Sequence, residues 1–161
     1  MVLILMGVSG SGKTTVGSKL AEALGWRYFE ADDFHPPENV AKMSQGIPLS
    51  DADRAPWLAD MHQQIRDLNA AGEPGVMTCS ALKQAYREAL AGAEPDVHFV
   101  YLRGDLETIQ GRLNARRDHF MPPGLLASQF RTLEEPAEAL VIDIRQAPEA
   151  IVREIREGLG L

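Results

Sequence analysis

The stretch that decides the fold is Val2-Leu3-Ile4-Leu5-Met6-Gly7-Val8-Ser9-Gly10-Ser11-Gly12-Lys13-Thr14. It opens with a continuous apolar run, which is typical of a strand buried on both faces. It closes with Gly7 to Thr14, which fits the phosphate-loop pattern G-x-x-x-x-G-K-[ST] in full. Lys13 to Leu24 then shows helical spacing of apolar residues and stops at Gly25. The stretch therefore predicts a strand, a phosphate-binding loop and a helix in direct succession.

Such a loop binds phosphate through its backbone. Its glycines let the chain curl so that successive N–H groups point at phosphate oxygens, and the helix adds its positive N-terminal end. We expect Lys13 to reach the β- and γ-phosphates as a catalytic residue, and the Thr14 hydroxyl to bind Mg²⁺. The expected ATP-binding residues are Gly7, Val8, Ser9, Gly10, Ser11, Gly12, Lys13, Thr14 and Thr15. The chain lacks the N-K-x-D stretch of GTPases, which leaves a small phosphotransferase or a nucleotide-gated switch.

Outward from this stretch, predicted strands alternate with predicted helices. The strands are residues 2–6, 26–30, 76–79, 97–102 and 140–143, and the helices are residues 13–24, 36–43, 53–71, 82–90, 106–115, 125–133 and 148–158. This alternation implies parallel pairing through right-handed crossovers. At 161 residues the chain is short enough for a single domain spanning residues 1–161. We expect a three-layer α/β P-loop fold with a five-stranded parallel sheet, helices on both faces and, from a basic segment described below, a small mobile lid.

Composition narrows the choice of partners and compartment. Sixteen Lys and Arg against 23 Asp and Glu give a net charge of −7, which argues against broad binding to nucleic acid or to an anionic membrane. No apolar run reaches the length of about 18 residues that predicts a membrane span. The single cysteine, Cys79, excludes an internal disulfide and favours the reducing cytoplasm.

Polar clusters follow the predicted strands, at the sheet edge where ligands of α/β proteins bind. Asp32 and His35 follow the second strand. We expect Asp32 to be catalytic and to contact the substrate, either by accepting a hydroxyl proton or by holding Mg²⁺ through water. His35 could donate a hydrogen bond to a substrate oxygen.

Further segments carry a resemblance to a known family. They are His35-Pro36, Lys42-Met43, Gly46-Ile47-Pro48-Leu49, Asp51-Ala52-Asp53-Arg54-Ala55-Pro56-Trp57-Leu58, Cys79-Ser80-Ala81-Leu82-Lys83, Tyr86-Arg87, Arg112-Leu113, Arg116 to Phe120, Gln129-Phe130 and Leu133-Glu134-Glu135-Pro136. From Leu3 to about Ile151 the chain resembles the gluconokinases, which are similar in fold to shikimate and nucleoside monophosphate kinases. The resemblance implies transfer of the γ-phosphate of ATP to the 6-hydroxyl of D-gluconate with Mg²⁺, and a homodimer.

A carboxylate substrate needs a cation in its pocket. Arg54, Lys83 and Arg87 are the candidates, and the planar fork of Arg54 or Arg87 suits a carboxylate better than an ammonium does. Lys83 and Arg87 are four residues apart, which predicts that they share one face of a helix. Cys79 is expected to be inert, because no His/Asp pattern accompanies it.

A basic segment broken by prolines, residues 116–124, predicts the lid. Arg116 is expected to be catalytic by neutralising the transferring phosphoryl group, and His119 to contact phosphate or substrate. By resemblance to related kinases, Arg112 could lie against the adenine. Gln146 is also expected to bind ATP, because it follows the fifth strand, where those kinases present backbone to the adenine. One departure is that Cys79-Ser80 stands where other P-loop enzymes carry a second Mg²⁺ carboxylate, so Thr14 and Asp32 would hold the metal with waters.

Two alternatives remain open from sequence. One is a kinase of another small acceptor, such as shikimate or a nucleoside monophosphate. The other is an ATP-binding sensor with little catalysis. The acceptor that stimulates ADP release separates all three.

Overall fold

The computed structural model describes residues 1–116 and 124–161, and in this part of the chain five parallel strands form one sheet in the order β2-β3-β1-β4-β5. The strands are β1 (Val2–Met6), β2 (Arg27–Glu30), β3 (Gly75–Thr78), β4 (Val97–Arg103) and β5 (Leu140–Asp143). The predicted parallel sheet is confirmed. Because β1 lies at its centre, the loop after β1 lies in the middle of the carboxyl edge.

Helices cover both faces of this sheet. They are α1 (Lys13–Leu24), α2 (Pro37–Ser44), α3 (Asp51–Ala71), α4 (Gln84–Ala91), α5 (Leu106–Ala115), α6 (Leu125–Thr132) and α7 (Pro148–Leu159), with a short 3₁₀ helix at Ala31–Phe34. No helix in the described ranges is long and apolar enough to cross a membrane.

Alternate residues of β1 belong to two different cores, as the side-chain alternation of a strand requires. Leu3 and Leu5 pack in the core that includes buried residues of α1, α5 and α7. Val2, Ile4 and Met6 pack in the core that includes α3 and α4. This is the expected three-layer arrangement of helices, sheet and helices.

Local sequence explains where α3 begins. The Ser50 hydroxyl accepts a hydrogen bond from the Asp53 backbone N–H at 3.1 Å, and the Asp53 carboxylate accepts one from the Ser50 N–H at 2.9 Å. This capping box satisfies two N–H groups that the first helical turn leaves without partners. It starts the helix at Asp51, two residues earlier than its apolar stripe predicted.

The start of α4 differs from the prediction. Residues 82 and 83 were expected inside the helix, but Lys83 is its extended N-cap and α4 begins at Gln84. The cause is Ala81, whose φ of 46° lies in the left-handed region and turns the chain before the helix can form.

Candidate active site

The phosphate loop has the backbone conformation that its glycines predicted. Gly10 and Gly12 have φ values of 82° and 95°, which L side chains rarely adopt. A Cβ at Gly10 would also lie 2.9 Å from the Leu113 side chain of α5. The loop is therefore packed directly against α5, and Gly12 serves as the N-cap of α1.

Lys13 lies folded over its own loop. Its Nζ donates to the carbonyl oxygens of Gly7 and Val8 at 3.0 and 3.1 Å. Burial lowers the pKa of Lys13 to about 8. The nearby carboxylates of Asp32 and Glu30 act to raise this pKa, and the positive charge of Arg116 acts to lower it. The structure thus brings Lys13, Asp32 and Arg116 into one electrostatic neighbourhood.

Asp32 lies in the 3₁₀ helix directly after β2, with an exposed side chain. Within the described ranges, no protein group donates a hydrogen bond to its carboxylate. The negative charge of Asp32 acts to raise the pKa values of both Lys13 and His35. An exposed carboxylate between these two groups is suited to accept a hydrogen bond from a hydroxyl.

His35 is held in place by aromatic stacking. Its ring lies 4.3 Å from that of Trp57, with an angle of 10° between the planes. Trp57 is buried in the core and donates from Nε1 to the Ala31 carbonyl at 2.7 Å. Burial lowers the pKa of His35, which the charge of Arg54 lowers further. The lowered pKa favours the neutral imidazole, and Trp57 supports the ring from the core.

The sequence did not place Glu30 in a network, and the structure does. One Glu30 carboxylate oxygen accepts from the Thr78 hydroxyl at 2.7 Å, and the other accepts from the Tyr28 hydroxyl. Burial and the Glu30 bond raise the pKa of Tyr28 to about 12, while Thr78 and Thr14 act to lower it. Because β2 pairs with β3 with Glu30 opposite Thr78, a carboxylate does lie at the end of β3. It comes from the neighbouring strand.

A second charged cluster joins the start of α3 to the start of α4. The Tyr86 hydroxyl donates to the Asp51 carboxylate at 2.6 Å and accepts from Arg54 at 3.3 Å. Lys83 lies 3.5 Å from the same Asp51 oxygen. The Tyr86 hydrogen bond and the charge of Lys83 lower the pKa of Asp51. Two of the three predicted substrate cations, Arg54 and Lys83, are thereby brought together, and Tyr86 and Asp51 are the partners that sequence reasoning missed.

Arg87, the third predicted cation, is not with them. Its side chain is 4% exposed. The guanidinium donates to the carbonyl oxygens of Ala81, Leu82 and Glu134 and to the side chain of Gln84, at 2.7–3.2 Å. These protein acceptors fill the fork that a substrate carboxylate would need. The prediction that Lys83 and Arg87 share one face of a helix is wrong, because Lys83 precedes α4 as its N-cap. Arg87 instead supports the left-handed turn at Ala81.

Replacing Arg87 by methionine is therefore expected to destabilise the protein. The change leaves several buried carbonyl groups without donors, at a cost of about 3 kcal/mol. We expect the melting temperature to fall by roughly 10 °C, with little change in the KM for the acceptor. The exposed Arg153 of α7 provides the matched control, Arg153→Met. An unchanged melting temperature with a raised KM would restore Arg87 as a substrate ligand.

The remaining predicted residues lie as follows. Arg112 donates to the carbonyl of Ile144, in the loop after β5, so it lies beside the segment expected at the adenine. The side-chain amide of Gln146 donates to Asp143 O at 3.1 Å and to Glu154 at 2.7 Å. Thr14 and Thr15 are exposed in the first turn of α1. His119 and most of the predicted lid lie outside the described residues. The Cys79 thiol is buried and its pKa is raised to about 12 by that burial, as expected of an inert cysteine.

The donor set suits Mg²⁺ bound partly by phosphates and water. The described residues contain no group of three or more His, Cys, Asp or Glu that could hold a metal by themselves. Glu30 and Asp32 are both close enough to Lys13 to act on its pKa, and Thr14 acts on the pKa of Tyr28, which bonds to Glu30. Mg²⁺ characteristically takes a few oxygen ligands from protein and the rest from water and substrate phosphates.

Comparison with known proteins agrees with this geometry. The sequence model of the shikimate kinase family matches residues 9–159. The chain is 53% identical over 133 residues to the thermosensitive gluconokinase of Escherichia coli K12, which covers 83% of this chain and 71% of that protein. It is 47% identical over 156 residues to the gluconokinase of Gluconobacter oxydans, covering 95% and 88%. The crystal structure of a gluconokinase from Sinorhizobium meliloti 1021 superposes with a TM-score of 0.88 at 45% identity, covering 99% of this chain and 91% of that one.

Proposed function

The chain belongs to the shikimate kinase family of P-loop kinases and, within it, to the gluconokinases, and we propose that it transfers the γ-phosphate of ATP to the 6-hydroxyl of D-gluconate. The products are 6-phospho-D-gluconate and ADP. The observation that carries the proposal is that two groups of residues follow the strands at one edge of the sheet. The first is the phosphate loop with Lys13, and the second is the pair of cations Arg54 and Lys83. Asp32 and His35 lie between Lys13 and Arg54 in sequence, and the charge of Arg54 acts on the pKa of His35.

Phosphoryl transfer depends mainly on position and charge. The N–H groups of the phosphate loop and the ammonium of Lys13 hold the phosphates, and Arg116 adds positive charge beside them. Asp32 accepts a hydrogen bond from the attacking hydroxyl and orients it toward the γ-phosphate. As the bond to the acceptor oxygen forms, the bond to the β,γ-bridging oxygen breaks, and the hydroxyl proton leaves toward Asp32 or solvent.

The metal in this proposal is Mg²⁺. Thr14 would bind it directly, while Asp32 and Glu30 would hold it through water. When bound, it neutralises the charge that develops on the phosphates. Glu30 supplies the second carboxylate whose place in sequence is taken by Cys79-Ser80.

The acceptor side is assigned to Arg54 and Lys83. A gluconate carboxylate bound there would share these cations with Asp51, which holds Lys83 at 3.5 Å and lies 3.9 Å from Arg54. His35, neutral on its Trp57 support, is placed to donate to a gluconate hydroxyl. The predicted contacts from His119 and the lid stay predictions.

Replacing Arg54 by methionine is expected to raise the KM for gluconate by about 30-fold, the value of one charge-assisted hydrogen bond. The KM for ATP is expected to change less than about threefold, because Arg54 lies with the acceptor cluster. Steady-state kinetics with each substrate varied in turn measure both constants. Arg66→Met is the control, because Arg66 lies further along the same helix and pairs with Glu94. Equal increases in both KM values would contradict the assignment.

ADP release with Mg-ATP, measured across gluconate, shikimate, AMP and no acceptor, tests the function as a whole. Strong stimulation by gluconate alone is the expected result. A response to shikimate or AMP instead would make the chain a kinase of another acceptor. Tight ATP binding with no stimulated release would favour the sensor.

We also infer a homodimer, as the family resemblance implied, and the cytoplasm as compartment. A lone buried thiol and the use of ATP both suit a reducing cytoplasm. Light scattering at assay concentration measures the oligomeric state directly.

A further inference from the structure

A contact between the phosphate loop and α6 is not used by the function proposed above. The backbone N–H of Ser9 donates to Oε1 of Gln129 at 2.7 Å, and Nε2 of Gln129 lies 3.2 Å from the Ser9 hydroxyl. The two residues are 120 positions apart in sequence. A carboxamide carries both an acceptor and a donor, so one side chain of α6 holds Ser9 at two points.

Ser9 lies between two parts of the loop with different backbone restraints. It precedes Gly10, which has a φ of 82°. Glycine has no Cβ, so its backbone is less restricted than that of other residues. Lys13 holds the loop from one side, through the carbonyl groups of Gly7 and Val8. Gln129 holds the next residue of the loop from outside it. Lys13 and Gln129 thus hold three consecutive residues of the loop, Gly7, Val8 and Ser9.

Gln129 is itself well anchored. One turn before it, Leu126 is buried in the core with only 2% exposure, and the neighbouring Phe130 packs against the same core. The Gln129 carbonyl accepts the backbone N–H of Leu133 at 2.9 Å, which closes the last turn of α6. The Gln129 side chain therefore extends from a helix that packs on the core, and its amide joins Ser9 of the loop to that helix.

We propose that Gln129 is a positioning residue of the nucleotide site, which orients Ser9 and thereby presents the phosphate loop to the nucleotide. The proposal rests on the proposed function in taking the nucleotide to be Mg-ATP. Gln129 is not assigned a contact with gluconate, so its effect should be confined to nucleotide affinity.

Two substitutions separate positioning from simple support of the fold. Gln129→Ala removes both contacts and is expected to weaken Mg-ATP binding by about 10-fold. Gln129→Glu keeps the size and the acceptor, and the Ser9 hydroxyl can rotate to donate, but it adds a negative charge beside the phosphates. We expect it to weaken binding by about 30-fold or more at low salt, and by less at high salt, because salt screens the repulsion.

The measurement is calorimetric titration of each full-length variant with Mg-ATP in the absence of gluconate, together with the KM for each substrate. The expected result is a loss of nucleotide affinity with the gluconate KM within about twofold of the original, since the side-chain hydrogen bonds of Gln129 go to Ser9 and not to the acceptor cations. Gln63→Glu, an exposed change of the same kind on α3, is the control and should leave both constants unchanged. A Ser9→Ala variant, which removes only the hydroxyl contact, should have a smaller effect alone and add nothing to Gln129→Ala.

Nucleotide affinity that stays at its original value in both Gln129 variants would overturn the proposal, as would equal losses of nucleotide and gluconate affinity. If the alanine variant does not fold, the isosteric glutamate variant decides. The titration omits gluconate, so it tests Gln129 even if the acceptor proves to be a different molecule. Conversely, if the protein phosphorylates gluconate but the Gln129 variants bind Mg-ATP as tightly as the parent, only this inference is refuted and the proposed function stands.

Discussion

The Lys13→Met variant is expected to phosphorylate gluconate with a kcat about 10³-fold lower, because it removes a preorganised donor at the place where charge develops. The variant should still fold, since Lys13 belongs to the loop and its Nζ bonds only to the carbonyl groups of Gly7 and Val8. Coupled ADP release and a thermal melt on the same preparation measure both quantities. Near-normal turnover would show that the loop is not the site of phosphoryl transfer.

The same variant is expected to be more stable than the parent protein without nucleotide. The pKa of Lys13 is about 8 in the fold against 10.5 ordinarily, so the unfolded chain holds its proton more tightly. Lys13 therefore lowers the free energy of unfolding, and so destabilises the fold, by its full amount below pH 8. This destabilisation is relieved as the pH rises from 8 toward 10.5. At pH 7, Lys13→Met should melt at a higher temperature, and this advantage should shrink by pH 10. Lys19→Met, which breaks only an exposed pair with Glu149, should show no such pH dependence.

The second large effect is expected at Asp32. Asp32→Asn keeps the shape of the side chain but removes its charge, and kcat should fall by about 10²–10⁴-fold, the range for loss of a general base. The gluconate KM should change little. The neighbouring Asp33→Asn is the matched control, because Asp33 is also exposed in the 3₁₀ helix.

The pH–rate profile separates the two roles that the sequence left open for Asp32. If the carboxylate is a base, the fall in rate at low pH is lost in Asp32→Asn. If it anchors a metal-bound water, the variant instead regains activity as the Mg²⁺ concentration rises. A kcat within about threefold of the parent enzyme would contradict both roles.

Local patterns predicted most of the architecture. The apolar run before Gly7 and the phosphate-loop pattern from Gly7 to Thr14 are complete within thirteen consecutive residues, 2–14, and the helical spacing of α1 follows at once. The rule that parallel strands present ligands at their carboxyl ends then placed Lys13 and Asp32 together, and the effect of the Asp32 charge on the pKa of Lys13 agrees. Most boundaries shifted by no more than one residue, and the shifts of two residues came where a side chain or a strained residue intervened, at Ser50 and Ala81.

What the sequence did not show depends on contacts between distant segments. Arg87 was predicted to be a substrate cation because its type and spacing say nothing about the carbonyl groups of Ala81 and Glu134 that surround it. The Glu30–Thr78 bond requires β2 to pair with β3 in the observed register. A periodicity within one strand carries no such information. The contacts of Tyr86 with Asp51 and Arg54 likewise depend on the packing of α4 against the start of α3, which the sequence pattern does not show.

The central claim is that this chain phosphorylates the primary hydroxyl of gluconate, and proton-coupled phosphorus NMR of the reaction product tests it most directly. A phosphate ester on the CH₂ group at C6 couples to two protons and gives a triplet, whereas an ester on any secondary hydroxyl gives a doublet. We expect a single new phosphomonoester triplet that grows with ADP and requires gluconate. A doublet, or inorganic phosphate with no new ester, would contradict the proposed reaction.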